Sequence, residues 1–236
     1  MNFPAVRATW QLQSAHGWGS DQRCWDGFGT ACGERGWKLQ YQERGYGRYA
    51  AASPSWQASG KRALLLNSLG THLVAPELLA EAEAVVLLAS FGRFVPLGAE
   101  GKQLRQVLRS MRKRLLQGDI QGLFAEFRPM VAAPQPLELL PPGVEDGELP
   151  AKGLQLLIQD LKLLEKLEGL PAAFPVGVPV LIVEGEADGV VHPLSRVALK
   201  QQLPKADLLS LTGVGHGLLV ANLVPQVLDW LKGLNQ

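Results

Sequence analysis

Arg62-Ala63-Leu64-Leu65-Leu66-Asn67-Ser68-Leu69-Gly70-Thr71 is the stretch whose reading decides the fold. Arg62 to Leu66 is a short apolar run of the length of a buried strand. Asn67 and Ser68 break it, and Leu73-Val74-Ala75 reads as the continuation into a helix. Ser68 therefore sits at a sharp strand-to-helix turn, where a nucleophilic serine projects above a parallel sheet. The chain doubles back tightly there, and Gly70, two places after the serine, supplies the small residue this needs. Two places before it, where the usual G-x-S-x-G pattern has glycine, stands Leu66. Taken alone, the segment reads equally well as a helix start with Ser68 as its N-cap.

Similar apolar runs lie on both sides. Thr9 to Ser14, Lys38 to Gln42, Arg62 to Leu66, Ala84 to Leu88, Val178 to Val183 and Ala206 to Ser210 read as strands, with helical patterns between them. That alternation predicts an α/β protein built on a mostly parallel sheet of about six strands. The long segment Ser90 to Gly177, between the fourth and fifth strands, is rich in Leu, Lys, Arg, Gln and Glu and reads as an inserted helical cap. The expected organisation is a core from residues 1–92, the cap over 93–176 and the rest of the core over 177–236. In the cap, Leu104, Val107, Leu108, Met111 and Leu115 recur at helical spacing. Lys102, Arg105, Arg109, Arg112, Lys113 and Arg114 form the opposite, basic face, with no acid among them. A second amphipathic helix spans about Leu154 to Leu167.

The chain has 236 residues, 47% hydrophobic and 19% charged, enough for one well-packed domain without metal or disulfide staples. Cys24 and Cys32 are accordingly not needed as a framework. A net charge of +1 argues against a general nucleic-acid coat. Met1 to Gln13 lacks the basic start and apolar run of a signal peptide, so a cytoplasmic location is expected. The uncharged run Leu208 to Leu228 is interrupted by His216, Asn222, Pro225 and several glycines, and no membrane span is expected.

Two further loops carry chemistry. Asp188 follows the fifth strand in Gly185-Glu186-Ala187-Asp188-Gly189, and His216 follows the sixth in Gly213-Val214-Gly215-His216-Gly217. Loops at strand C-terminal ends are where α/β active sites gather. An Asp in a glycine-rich turn is by itself an ordinary Asx-turn, and a His between glycines an ordinary loop residue. Ser68, Asp188 and His216 in this order, each just after a strand, instead suggest nucleophile, orienting acid and base. Glu184 and Glu186 are rival acids that sit closer to the strand end. After the first strand comes His16-Gly17-Trp18-Gly19, either a plain turn with a packed indole or half of an oxyanion hole. On the second reading the N–H groups of Trp18 and Leu69 are the two donors. His72 and His192 have no partner at metal-ligand spacing, so neither metal nor organic cofactor is expected.

On these residues the chain resembles the α/β-hydrolases. Within them it is similar to the small carboxylesterases of biotin synthesis that demethylate pimeloyl-acyl-carrier-protein methyl ester. The residues that carry the narrower resemblance are His16 to Gly19 with Trp25, Asn67 to Gly70, Leu88-Ala89-Ser90-Phe91-Gly92-Arg93-Phe94, Gly185 to Val191 and Gly215 to Gly217. The resemblance implies a reduced sheet and a serine esterase with an acidic acyl carrier protein as partner. Lys102, Arg105, Arg109, Arg112 and Lys113 would meet that carrier, unless they are simply a solvated helix face. His16, Gly17, Trp18, Asn67, Phe91, Phe94, Phe124 and Phe127 would contact the acyl chain, although aromatic residues at such positions are as often core. A thioesterase, the lyase of menaquinone synthesis and a non-catalytic binding protein are the alternatives.

Overall fold

The computed structural model describes residues 9–234. Residues 1–8, the greater part of the segment read for a signal peptide, and residues 235–236 lie outside it, as do the ends of the expected core. Six strands form one sheet: β1 (Trp10–Ala15), β2 (Lys38–Gln42), β3 (Lys61–Asn67), β4 (Ala84–Leu88), β5 (Val180–Gly185) and β6 (Asp207–Leu211). Their order is β2-β1-β3-β4-β5-β6, and all five neighbour pairings are parallel. The chain reverses direction along the sheet between β2 and β3, and the loops after β1 and β3 are adjacent as a result.

A parallel sheet must be covered on both faces, and the strands are apolar on both. Side chains alternate across the pleat. Leu12, Ala63, Leu65, Val86, Leu88, Leu181 and Val183 pack with Phe28 and Cys32 of α1 (Asp26–Glu34) and with Val227, Leu228 and Leu231 of α7 (Leu223–Gly233). Leu64, Leu66, Val85, Leu87 and Ile182 pack on the other face against Leu78 and Leu79 of α2 (Pro76–Ala80) and Leu199 of α6 (Pro193–Gln202). The result is a three-layer α/β core.

Between β4 and β5 lies the helical cap, with α3 (Ala99–Leu116), α4 (Ile120–Ala132) and α5 (Ala151–Lys166). It has an apolar cluster of its own, in which Leu108, Leu115, Leu123, Phe124, Leu157, Leu161 and Leu164 meet Phe94 after β4 and Trp18 and Leu69 from the core. The boundaries at 92/93 and 176/177 remain a proposal about the chain's division.

One local expectation is corrected. Leu73-Val74-Ala75 is not helical; a short 3-10 turn, Ser68–His72, follows β3, and α2 starts only at Pro76. Proline pushes the residue before it out of the α region, and Ala75 is extended at φ −58°, ψ 135°.

Candidate active site

At the end of β3 the backbone of Ser68 takes φ 52°, in the left-handed region that a non-glycine residue rarely adopts. An N-cap needs an extended backbone. The cap position of the turn is Asn67, at φ −94°, ψ 126°, whose side chain donates to Leu88 O at 3.2 Å rather than capping. The N-cap reading of Ser68 is thereby excluded, and the turn is a strained elbow. A Cβ on Gly70 would stand 2.3 Å from Ala15 O, so only glycine lets the elbow pass the end of β1. Leu66 does not disturb this geometry: it pairs with Ala15 in register and its side chain is fully buried among Val74, Leu78 and Leu79. Ser90, after β4, donates its hydroxyl to Ser68 O at 2.9 Å and lies 2.6 Å from Thr71 Oγ1, bracing the turn from below.

The loops after β5 and β6 converge on the same place. A Cβ on Gly185 would lie 2.3 Å from Val214 O, and Ala187 N donates to Val214 O at 2.9 Å. This crossing brings Asp188 Oδ2 to 2.9 Å from His216 Nδ1, both side chains being buried. Facing a carboxylate, Nδ1 carries the proton, which leaves Nε2 as the free basic nitrogen. Asp188 Oδ1 accepts from Val190 N at 2.8 Å and Val191 N at 2.9 Å. One oxygen of Asp188 thus makes an Asx-turn while the other faces His216. Burial pushes this carboxyl up, but the adjacent imidazole and the two N–H donors outweigh it and hold it below the ordinary carboxylate value. The rival acids face elsewhere. Glu184 pairs with Lys200 at 2.8 Å and Glu186 accepts from Ser210 Oγ at 3.2 Å.

Ser68 and His216 line one cavity of about 690 Å³, together with Gly17, Trp18, Asn67, Leu69, Phe94, Phe124 and Phe127. The loop after β1 presses on the elbow: a Cβ on Gly17 would be 3.0 Å from both Ser68 Cβ and Asn67 Oδ1. Trp18 stacks on Phe124 with ring centres 5.3 Å apart, and Gly19, at φ +70°, leaves room for that ring. Two expected contacts are not there. His16 turns away from the cavity toward Glu43, and Phe91 is fully buried against His72 and Phe94. Contacts with the turn after β2 fix His16 there, which a loop reading could not foresee. The remaining lining is almost wholly apolar, and Arg128 is its one formally charged side chain among the described residues.

The basic face of the cap helix is less free than its sequence suggests. Glu165 of α5 accepts from Arg112 at 2.7 Å and lies 3.9 Å from Arg109, and Arg114 is held by Asp119 and Glu126, each at 2.7 Å. Helical residues turn by roughly 100° each. Lys102, Arg105, Arg109, Arg112 and Lys113 thus fall on one side of the apolar stripe of half-buried Leu104 and Met111 and buried Leu108 and Leu115. Val107, 45% exposed on the cavity's rim, falls on the other. Among the described residues no cluster of three His, Cys, Asp or Glu side chains is arranged to hold a metal ion, and no helix is long and apolar enough to cross a membrane.

Known structures superimpose over nearly the whole chain. An alpha/beta hydrolase enzyme, MGS-M2, from a Medee basin deep-sea metagenome library aligns with a TM-score of 0.64 at 14% identity, over 100% of this chain and 90% of its own. The chain has the α/β-hydrolase fold. An esterase from Exiguobacterium antarcticum aligns with a TM-score of 0.69 at 16% identity, over 96% of this chain and 93% of its own. The enol-lactonase from Burkholderia xenovorans LB400 gives 0.67 at 17% identity, over 95% and 92%. No family profile and no curated protein sequence matches. In this α/β-hydrolase fold the elbow, the acid and the histidine occupy loops after β3, β5 and β6, all at one edge of the parallel sheet.

Several supporting residues had no signal in the sequence. Gln135, just past α4, accepts from Gly215 N at 3.1 Å and donates to Gly213 O at 2.8 Å, cradling the His216 loop. Glu43, Arg44 and Asp160 brace the loop after β1 in the same way.

Proposed function

We propose that the protein is a serine hydrolase of carboxylic esters with apolar acyl groups. The observation that carries this reading is that a left-handed Ser68 and an Asp188-bound His216 line one apolar cavity. Ser68 Oγ attacks the ester carbonyl carbon while His216 Nε2 takes its proton. The carbonyl electrons move to oxygen, where the N–H groups of Leu69 and Trp18 hold the developing charge. Collapse breaks the bond to the alcohol, which leaves with the proton from His216. Water, deprotonated by the same nitrogen, then releases the acid from Ser68. Asp188 keeps the imidazole in the required tautomer throughout. Neither metal nor organic cofactor enters these steps. The structural neighbours named as esterases and as an enol-lactonase cleave bonds of this class, which favours an ester over other substrates.

Within that class we read the substrate as the methyl ester of pimeloyl-acyl-carrier protein. The apolar lining suits its methylene chain and makes no demand on the small alcohol. The acidic carrier would meet the cations of α3, with Lys102, Arg105 and Lys113 contributing more than Arg109 and Arg112, which already share Glu165. A cytoplasmic location belongs to this reading.

Mass spectrometry of that carrier ester, incubated with wild type and with Ser68→Ala, tests both levels. Loss of one methylene's mass with wild type alone supports the full reading. No change, with Ser68 still labelled by a fluorophosphonate, retains the hydrolase and discards the carrier ester. Absence of labelling discards the hydrolase as well and leaves a binding protein.

A further inference from the structure

The cap is fastened to the loop after β1 by a buried ionic network. Trp18 Nε1 donates to Leu157 O of α5 at 2.9 Å. One helical turn further on, Asp160, 2% exposed, accepts from Arg44 Nε at 2.8 Å, Arg44 Nη2 at 2.7 Å and Tyr46 Oη at 2.6 Å. Arg44 and Tyr46 belong to the turn after β2, and that turn grips His16. His16 Nε2 lies 3.2 Å from both Glu43 Oε1 and the Arg44 amide nitrogen, and His16 Nδ1 donates to Gly17 O at 2.9 Å. Glu43 also accepts from Gln22 N at 3.0 Å and Gly45 N at 3.0 Å. The Tyr46 ring meets the His16 ring edge-on with centres 5.8 Å apart. Helix α5 rests directly on this turn, since a Cβ on Gly153 would fall 1.5 Å from Tyr46 O.

The loop that runs from His16 to Trp18 is therefore held by α5 directly at Trp18 and, through Arg44 and Tyr46, at His16. Carboxylates this deeply buried are costly unless fully paired, and a pair that is broken on one side is worse than none. The groups that Asp160 satisfies, Arg44 and Tyr46, both belong to the turn that grips His16.

We propose that Asp160 is a positioning residue for the oxyanion loop, so that the Trp18 N–H reaches its working place only while α5 is seated on the core. The proposal rests on the reading of Ser68 and Trp18 above. It makes the cap part of the catalytic scaffold as well as a wall of the cavity.

The test compares wild type, Asp160→Asn and Tyr46→Phe on p-nitrophenyl butyrate, with rates expressed per site labelled by a fluorophosphonate. Loss of an oxyanion donor outright costs on the order of 10²–10³ in kcat, so its displacement is expected to cost roughly tenfold to a hundredfold in Asp160→Asn. KM should stay within about twofold, because ground-state binding in the apolar cavity does not use this donor. A trifluoromethyl ketone, whose adduct with Ser68 carries an oxyanion, should lose affinity by the same factor as kcat. Unchanged kcat per labelled site, or equal losses in kcat and ground-state binding, would overturn the proposal. If Asp160→Asn does not fold, Tyr46→Phe decides, since it keeps the Arg44 pair and removes only the hydroxyl. An unchanged kcat and ketone affinity there would overturn the proposal too. Turnover that survives Ser68→Ala would overturn the reading of the site itself, an outcome separable from the others.

Discussion

Gly70→Ala tests the elbow most directly, because one methyl group is set against fixed backbone. The added Cβ would lie 2.3 Å from Ala15 O and 2.8 Å from Ala15 C, where ordinary contact begins at 3.4 Å. Neither partner is a flexible side chain. Ala15 is the last residue of β1, hydrogen-bonded into the sheet between β2 and β3, and His16 beyond it is pinned by Glu43. The elbow must therefore move, by about 1 Å. Overpacking of this kind costs roughly 1–3 kcal/mol of stability. A displacement of about 1 Å between a nucleophile and the groups that complete its site costs on the order of 10² in rate. Fluorophosphonate labelling rate and kcat/KM on a short p-nitrophenyl ester, measured well below the melting temperature, read the second effect apart from the first. Gly33→Ala is the control: it lies in α1 with nothing within 4 Å of the new methyl, and should gain roughly 0.5–1 kcal/mol with unchanged rate. Gly70→Ala with a rate within about threefold of wild type would refute the argument that Gly70 fixes Ser68 against β1.

Asp188→Asn should lower kcat by about 10⁴-fold, as expected when a base loses the group that sets its tautomer; steady-state kinetics with active-site titration checks this. Its folded carboxyl sits below the usual 3.8, so the ionised form contributes stability that is present above the unfolded value and lost as pH falls through the lower folded one. The stability gap between wild type and Asp188→Asn, followed by urea titration, should accordingly narrow as pH drops below about 4 and stay constant above it. Burial pushes the Cys24 thiol up to about 12 and the Cys32 thiol up to about 11. Neither should react with a disulfide reagent at pH 8 until the protein is unfolded, although Cys24 lines the cavity; a fast-reacting thiol in the native protein would contradict this. Reversing Lys102, Arg105 and Lys113 to Glu should raise KM for a carrier-bound ester severalfold and spare small esters, and equal effects on both would refute carrier docking on α3.

Much of this molecule is legible in one dimension. Strand and helix periods are local properties, so the six strands, their helices and the long insertion follow from runs such as Ala84 to Leu88 and stripes such as Leu104 to Leu115. That Ser68, Asp188 and His216 each follow a strand is legible as well, because each residue is placed by the end of its own strand. What local pattern left open were choices between partners far apart in the chain. Ser68 as cap or elbow was settled by a backbone angle that Gly70 and Ala15 impose together. Asp188 rather than Glu184 or Glu186 faces His216 because the loops cross at Gly185, and the nearer acids are taken by Lys200 and Ser210. The cationic face of α3 reads as uncompensated along the chain, yet Glu165, Asp119 and Glu126 neutralise half of it. His16 belongs to the scaffold and not to the pocket, since its ring lies against Glu43 and accepts from the amide of Arg44, whose side chain pairs with Asp160. Burial and charge pairing depend on which surfaces the fold presses together, and only the tertiary structure decides that.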